Sequence, residues 1–357
     1  MTIVHIIESL DAGGAERVLL DIIRLRPSAS VRHEILCLAG EGALAAEAKE
    51  AGIRVVALGK KAGFDALLLP RLCRELVRMK ADVLHLHLFT GGLWGRLASW
   101  LTDIPCVLGV QNVDDWIGGW RLGAERLLAP LPECTVGVTR ASLELRKPWG
   151  LREGRTALIP NGSSRIPNPR VRADIRKAWG YGPGDFVVGA LGRGVAQKNP
   201  ALFLQVAQAA KVDILKFVWM GEGPALEPLR GTKIFLAGHQ KDPMSALSAC
   251  DAVVSTSVRE GFSLALLEAL RSGLPVLATD IPGNRDLLEG LGQGHLVKPA
   301  GAAETMASTL AAWARDPGLA RTLGERCRAH AMRFLAEDMA ASYDRVYREA
   351  LSFRNVA

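Results

Sequence analysis

Glu260 and Glu268 stand at either end of an apolar run in "REGFSLALLEALRSGLPVLATD", residues 259–280. Ser263 suits an N-cap, and Ser272, Gly273 and Pro275 suit a helix end, so the pattern predicts a helix from Ser263 to about Arg271. Leu264, Leu266, Leu267 and Leu270 cover most of its circumference, which predicts that it is buried. A carboxylate at Glu268 then faces a cleft rather than open water, and needs hydrogen-bond donors or a raised pKa. Adjacent sugar hydroxyls would supply two donors at once; an arginine from across the domain is the alternative. Glu260 falls in the turn after "DAVVSTS", a predicted strand, where ligands gather in open α/β sheets.

Three other strand-to-helix turns carry unusual residues. In "ALGRGVAQKNP" (190–200) a strand ends at Gly192, and the loop carries Arg193 and Lys198 before an N-cap at Asn199 and a first-turn Pro200. Two cations beside a helix start suit a diphosphate; two solvated surface cations are the plain alternative. In "SLDAGGAERV" (9–18), Gly13 and Gly14 precede a helix, so a ligand could approach the backbone closely there, or the pair is simply a tight turn. It is not a GxGxxG dinucleotide fingerprint. In "DVLHLHLFTGG" (82–92), alternation places residues 85, 87 and 89 on one strand face. His85 reads as a core histidine, and His87, nearer the carboxyl end, is the better site residue.

The elements that must position these turns form a β–α alternation from end to end. It starts with "TIVHIIES" and "AERVLLDIIRL" and restarts after residue 185 with "DFVVGALG" and "PALFLQVAQAAK". That order predicts an α/β chain of two doubly wound parallel-sheet domains. The boundary is expected within "IPNGSSRIPNPRVR" (159–172), rich in Pro, Ser, Gly and Asn. The expected division is 1–165, 166–335 and a C-terminal helix, 336–357, that caps the second domain or returns to the first.

At 357 residues, with 49% apolar and 23% charged side chains, the composition is that of a globular protein too long for most single cores. Six scattered cysteines without a CxxC pair predict neither disulfides nor a zinc site, and fit a reducing cytoplasm. The N-terminus reads as a first strand rather than a signal peptide, and no stretch approaches a membrane span. The net charge of +7 is spread over both halves, which argues against a basic tail. It fits anionic partners, or a surface that is simply basic.

Glu260-x7-Glu268 resembles the EX7E motif of the retaining glycosyltransferases of family four, which have the GT-B fold. "GGAERV", "DVLHLHLF", "IPNG", "GRGVAQKNP", "MGEGP", "FLAGHQKD" and "DAVVSTS" follow in the family's order, so the resemblance spans essentially the whole chain. It implies two Rossmann-like domains facing across a cleft, the first on the acceptor side and the second holding a nucleoside-diphosphate sugar. By this similarity Glu268 would hold the ribose hydroxyls. Arg193 and Lys198 would neutralise the diphosphate, joined by backbone groups of Gly261, Phe262, Ser263 and Leu264. Glu260 would contact the transferred sugar, and His87 would lie near the reacting centre at its 6-hydroxyl. Gly13 and Gly14 would cover the diphosphate, and His239 would contact the base. Gln111–Asn112 departs from a commoner His–Asn pair, and "GNRDLL" (283–288) departs from Gly–Gly-x-x-Glu, which leaves the part of Asn284 open.

The expected function is retaining, metal-independent transfer of a sugar from a UDP-sugar to a glycan or lipid-linked acceptor. Surface polysaccharide or glycolipid synthesis is the expected setting. No cofactor or metal is expected, and no nucleic acid; Asp114–Asp115 is read as loop rather than a metal pair. An epimerase on the same scaffold and a noncatalytic nucleotide-sugar-binding subunit are the alternatives. Trp94, Trp100, Trp116 and Trp120, with Lys60, Lys61, Arg71, Arg74, Arg78 and Lys80, suit a peripheral contact at the inner face of the cell membrane, or else core packing and ordinary surface charge.

Overall fold

The protein is described by a computed structural model covering residues 1–25, 30–61, 65–113, 117–292 and 294–354. The chain divides into two compact units, Met1–Gly162 with Ala336–Ala357, and Ser163–Leu335. The division falls three residues ahead of the expected 165, and the C-terminal helix belongs to the first unit.

The first unit contains β1 (Thr2–Ile7), α1 (Gly14–Arg24), β2 (Arg32–Cys37), α2 (Ala45–Glu50), β3 (Arg54–Ala57), α3 (Leu68–Met79), β4 (Val83–His87), α4 (Leu88–Thr102), β5 (Cys106–Val110), α5 (Gly119–Leu128), β6 (Cys134–Gly137), α6 (Arg140–Glu144) and β7 (Thr156–Leu158). The second contains α7 (Arg172–Ala178), β8 (Phe186–Leu191), α8 (Pro200–Ala209), β9 (Leu215–Met220), β10 (Ile234–Gly238), α9 (Pro243–Ser248), β11 (Ala252–Ser255), α10 (Leu264–Arg271), β12 (Val276–Thr279), α11 (Pro282–Leu288), β13 (Leu296–Val297), α12 (Ala302–Arg315) and α13 (Pro317–Ala331). The last helix, α14 (Ala336–Arg354), packs on α1, β4 and β5.

Each unit is built on one parallel sheet. The seven-stranded sheet has the order β3-β2-β1-β4-β5-β6-β7, and the six-stranded one β10-β9-β8-β11-β12-β13. Strand order therefore reverses between β1 and β4, and again between β8 and β11. Such a switch point leaves a crevice at the carboxyl ends of the strands.

Alternation sorts the strand residues onto two faces. In the first unit, Val4, Ile6, Leu84 and Leu86 pack with Leu68, Leu72 and Leu76 of α3. On the opposite face, Ile7 and Ile35 meet Leu19, Leu20 and Ile23 of α1. In the second, Val188, Ala190, Phe217 and Trp219 are covered by Phe203 and Val206 of α8 and Leu310 and Trp313 of α12. All six cysteines are free thiols. Among the described residues no helix is long and apolar enough to cross a membrane.

Local signals placed several boundaries. Asn199 caps α8, its side chain accepting from the amide of Leu202 at 3.3 Å, with Pro200 in the first turn. Ser263 Oγ accepts from the amide of Leu266 and caps α10, which ends at Arg271 before Gly273 at φ +71°. One expectation fails. β4 stops at His87, Leu88 takes φ +58°, and Phe89 lies in α4, so Phe89 does not share the strand face of His85 and His87. The left-handed residue breaks the alternation that would have carried it there.

Removing the α10 cap tests this local account. Ser263→Ala should cost about 1 kcal/mol, lowering the melting temperature of a unit of this size by about 2–4 °C. An unchanged melt would show that the cap does not anchor the helix.

Candidate active site

The reversal between β8 and β11 brings together two residues that lie far apart in sequence. Lys198 ends a 3-10 turn after β8, and Glu260 lies in the loop after β11. Lys198 Nζ donates to Glu260 Oε1 at 2.5 Å, and Ser257 Oγ donates to the same oxygen at 2.6 Å. Both side chains are mostly buried, 19% and 8% exposed. The pair fixes the cation without leaving either charge isolated in a dry site. Both bonds go to one carboxylate oxygen, so Oε2 has no partner among the described residues. Arg193 is exposed and forms no ion pair among them.

Backbone interlocking holds the loops that carry these groups. The amide of Gly192 donates to Met220, that of Gly194 to Glu222, and that of Gly221 to Gly238. The loops after β8, β9 and β10 are thereby tied to one another. Gly221, at φ +143°, has no room for a side chain, because a Cβ would stand 2.1 Å from the carbonyl oxygen of Gly192. Gly283 likewise lets the start of α11 close on the Glu260–Gly261 backbone, where a Cβ would stand 2.1 Å from the Gly261 oxygen. Phe262, Ser263 and Leu264 lead into α10, whose first-turn amides have no partner inside the helix. His239 is exposed after β10, and its amide donates to Glu222 Oε1 at 3.2 Å. Glu222 escaped the reading of the sequence, although its Gly-flanked position in "MGEGP" marks a tight turn.

Glu268 is buried on α10, as its apolar neighbours predict, and its partner is an arginine. Arg165 Nη1 donates to Glu268 Oε1 at 2.8 Å, the two side chains being 27% and 4% exposed. Arg165 comes from the boundary segment, 103 residues earlier, and was not singled out from the sequence. Asn284 is fully buried, and its Nδ2 donates to the carbonyl of Thr279 at 2.9 Å.

The first unit holds the remaining residues. Gly13 caps α1, and a Cβ at Gly14 would meet nothing within 4 Å, so packing does not require glycine at 14. His87 ends β4, but its ring is turned inward and 1% exposed, with Nε2 3.0 Å from Nδ1 of His5. Burial pushes its pKa down to about 3. In this position the imidazole does not present itself to a sugar 6-hydroxyl, which corrects the part implied for it. His85 is a core histidine as read, fully buried, but only half satisfied: its Nδ1 meets Tyr347 Oη at 2.7 Å while its Nε2 has no partner.

A cavity of about 210 Å³ opens beside the carboxyl ends of β4 and β5, lined in part by Glu8, Phe89, Thr90, Gln111, Asn112 and Arg146. Gln111 Nε2 is buried there without a hydrogen-bond partner. Glu125, also in the lining, accepts from Arg96 and Arg146, each at 2.7 Å. The ring of Phe89 meets Trp120 edge-on at 5.7 Å, and the Arg121 guanidinium lies 5.2 Å from its centre. Trp120 and Trp100 are largely exposed, at 67% and 68%, whereas Trp94 packs against the core. Asp114, Asp115 and Trp116 lie outside the described residues. Of the basic residues, Arg71 is paired with Asp65, and Arg74, Arg78 and Lys80 are exposed.

Two doubly wound units, each on one parallel sheet, are the architecture of the GT-B glycosyltransferases. Residues 13–162 match the model of the glycosyl transferase 4-like domain, and residues 171–330 that of glycosyl transferases group 1. The chain belongs to the family-four glycosyltransferases. It is 26% identical over 328 residues to the UDP-Gal:alpha-D-GlcNAc-diphosphoundecaprenol alpha-1,3-galactosyltransferase of Escherichia coli, covering 80% of this chain and 81% of that protein. It is also 26% identical to the D-inositol 3-phosphate glycosyltransferase of Nocardia farcinica, covering 82% and 75%. The fold matches that of Anabaena HepE in complex with UDP-glucose, with a TM-score of 0.86 at 23% identity over 99% of both chains.

The Glu268 contact can be tested apart from any ligand. Arg165→Ala should destabilise the protein by about 1–3 kcal/mol, because it takes a cationic partner from a buried carboxylate. Adding Glu268→Gln should recover part of that loss in a urea titration. Equal loss in the single and double variants would show that the ion pair is not what stabilises α10.

Proposed function

We propose that the protein transfers a sugar from a UDP-sugar to a hydroxyl acceptor with retention at the anomeric carbon, in building a surface polysaccharide or glycolipid. The observation that carries this reading is the Lys198–Glu260 pair at the β8/β11 switch point, beside the first turn of α10. The names of the E. coli relative, which uses UDP-Gal, and of HepE, seen with UDP-glucose, support a UDP-sugar donor.

Transfer breaks the bond between the anomeric carbon and the β-phosphate oxygen, and negative charge grows on the departing diphosphate. Lys198 and Arg193 supply positive charge there, and the amides around Phe262, Ser263 and Leu264 supply oriented dipoles. Gly13 and Gly14 offer a close backbone approach from the start of α1. The unengaged Oε2 of Glu260 accepts a hydrogen bond from the transferred sugar. Glu268 holds the ribose hydroxyls while Arg165 orients it, so the arginine complements the ribose rather than replacing it. His239 faces the base. The acceptor hydroxyl attacks on the face the diphosphate leaves, where the leaving oxygens can take its proton, and no covalent carboxylate intermediate is invoked.

The 210 Å³ cavity suits the acceptor end. Gln111 Nε2 and Asn112 offer donors, Glu8 an acceptor, and the Phe89–Trp120 pair an apolar wall. An epimerase would convert the donor alone to an isomer, and a binding subunit would hold it without turnover. Incubation with a UDP-sugar and acceptor, followed by NMR of the product anomer, separates all three; an inverted product would reject the mechanism.

Lys198→Ala should lower turnover by about 10²–10³ at saturating donor, the usual effect of losing a charge-stabilising donor. Unchanged turnover would remove Lys198 from the reaction. Glu268→Gln weakens two charge-assisted hydrogen bonds and should reduce donor affinity while the fold holds. A 2′-deoxyribose donor bound as tightly as the ribose form by the native protein would refute the contact. Turnover should survive EDTA, since fixed cations serve the diphosphate; complete loss restored by magnesium or manganese would show a metal in that role.

A further inference from the structure

One cluster takes no part in this chemistry. His5 of β1, His33 of β2, and His85 and His87 of β4 project from the sheet face covered by α14, where Tyr343 and Tyr347 meet them. His5 and His85 are direct partners in the parallel ladder. His5, His85 and His87 are 0–1% exposed. A hydrophobic filling would be the expected content of this layer, as on the opposite sheet face, and each imidazole buried there must satisfy two ring nitrogens.

The contacts within the cluster are graded in a way that points to a ligand. His5 Nδ1 is 3.0 Å from His87 Nε2, while His5 Nε2 is 2.8 Å from His33 Nδ1. His85 Nδ1 is held by Tyr347 Oη at 2.7 Å. Two buried atoms have no partner, His85 Nε2 and Tyr343 Oη, on rings 5.0 Å apart. Gly109 of β5 leaves room for the His85 ring, since a Cβ there would stand 2.9 Å from its Nε2. His5, His85 and His87 each offer one ring nitrogen, and these three atoms all lie within 4.8 Å of one another.

We propose that His5, His85 and His87 form a structural site for a divalent transition ion of the zinc class, with His33 and Tyr347 orienting the ligands. Tetrahedral coordination at Zn–N of about 2.0–2.1 Å puts ligand nitrogens about 3.3 Å apart, so the His5–His87 pair is already near its required separation. The three atoms lie within 4.8 Å of one another, so His85 closes the set by a movement of up to about 1.5 Å. Imidazole-only ligation selects zinc-class ions over magnesium and manganese. Ligating histidines are normally oriented through the other ring nitrogen, which is the place of His33 on His5 and of Tyr347 on His85. Burial keeps the three imidazoles neutral, the form that binds metal. The ion replaces the His5–His87 hydrogen bond. If that proton sits on His87 Nε2, it moves to Nδ1 as the nitrogen becomes a ligand, and no net proton is released. Three histidines leave a fourth position open. The ion would join β1, β4 and the α14 contact, a role separate from sugar transfer.

The test uses the full chain without a tag, stripped with chelator and dialysed against cobalt(II) or zinc(II). One cobalt per chain is expected, with the intense visible bands of four-coordinate cobalt and a melting temperature several degrees above that of the stripped protein. His5→Asn should abolish retention. Tyr347→Phe should keep the stoichiometry and weaken affinity about 10–100-fold. No metal retained by the native chain, or equal retention by a folded His5→Asn chain, would overturn the proposal. If His5→Asn does not fold, X-ray absorption of the native cobalt form decides by the number of imidazole neighbours: three support the site, and fewer overturn it.

Discussion

The ion pair between Lys198 and Glu260 is the contact on which the second unit's site depends. It spans the reversal of strand order between β8 and β11, so it exists only once the sheet has formed. A lysine fixed by a mostly buried carboxylate carries its charge at little entropic cost, because the side chain is ordered before a ligand arrives. Ser257 shares the load on the same oxygen. The backbone links from Gly194 to Glu222 and from Gly221 to Gly238 explain why the surrounding loops keep their shape. Gly221 is required there by close approach as well as by its backbone conformation.

Burial is used differently in the two units. Around α10 a carboxylate is buried with an arginine beside it, which offsets the cost of taking either charge out of water. On the α14 face of the first sheet, imidazoles are buried against one another, and burial drives them to the neutral form. The first arrangement keeps opposite charges together. The second removes charge and leaves lone pairs, which is why the two clusters suit such different partners.

Much of the fold was legible because it rests on short-range chemistry. The β–α alternation, the caps at Ser263 and Asn199, and the stop at Gly273 depend on residues within one helical turn of each other. The burial of Glu268 followed from the leucines around it. Where a single backbone angle intervened, as at Leu88, alternation carried the reading of Phe89 too far. His87 was rightly placed at a strand end, yet strand position says nothing of which way a terminal ring turns, and the ring turned toward His5.

The sequence by itself determined the class of the fold, the order of its elements, the motif-bearing turns and the family. Periodicity, capping and glycine placement act locally and are written in consecutive residues. Tertiary structure alone decided which groups meet: Arg165 with Glu268, Lys198 with Glu260, and four histidines from three strands against two tyrosines of the last helix. Those contacts join residues separated by 28 to 262 positions. They arise from strand order and register, which place side chains together through hydrogen bonds of the sheet that no local sequence pattern specifies.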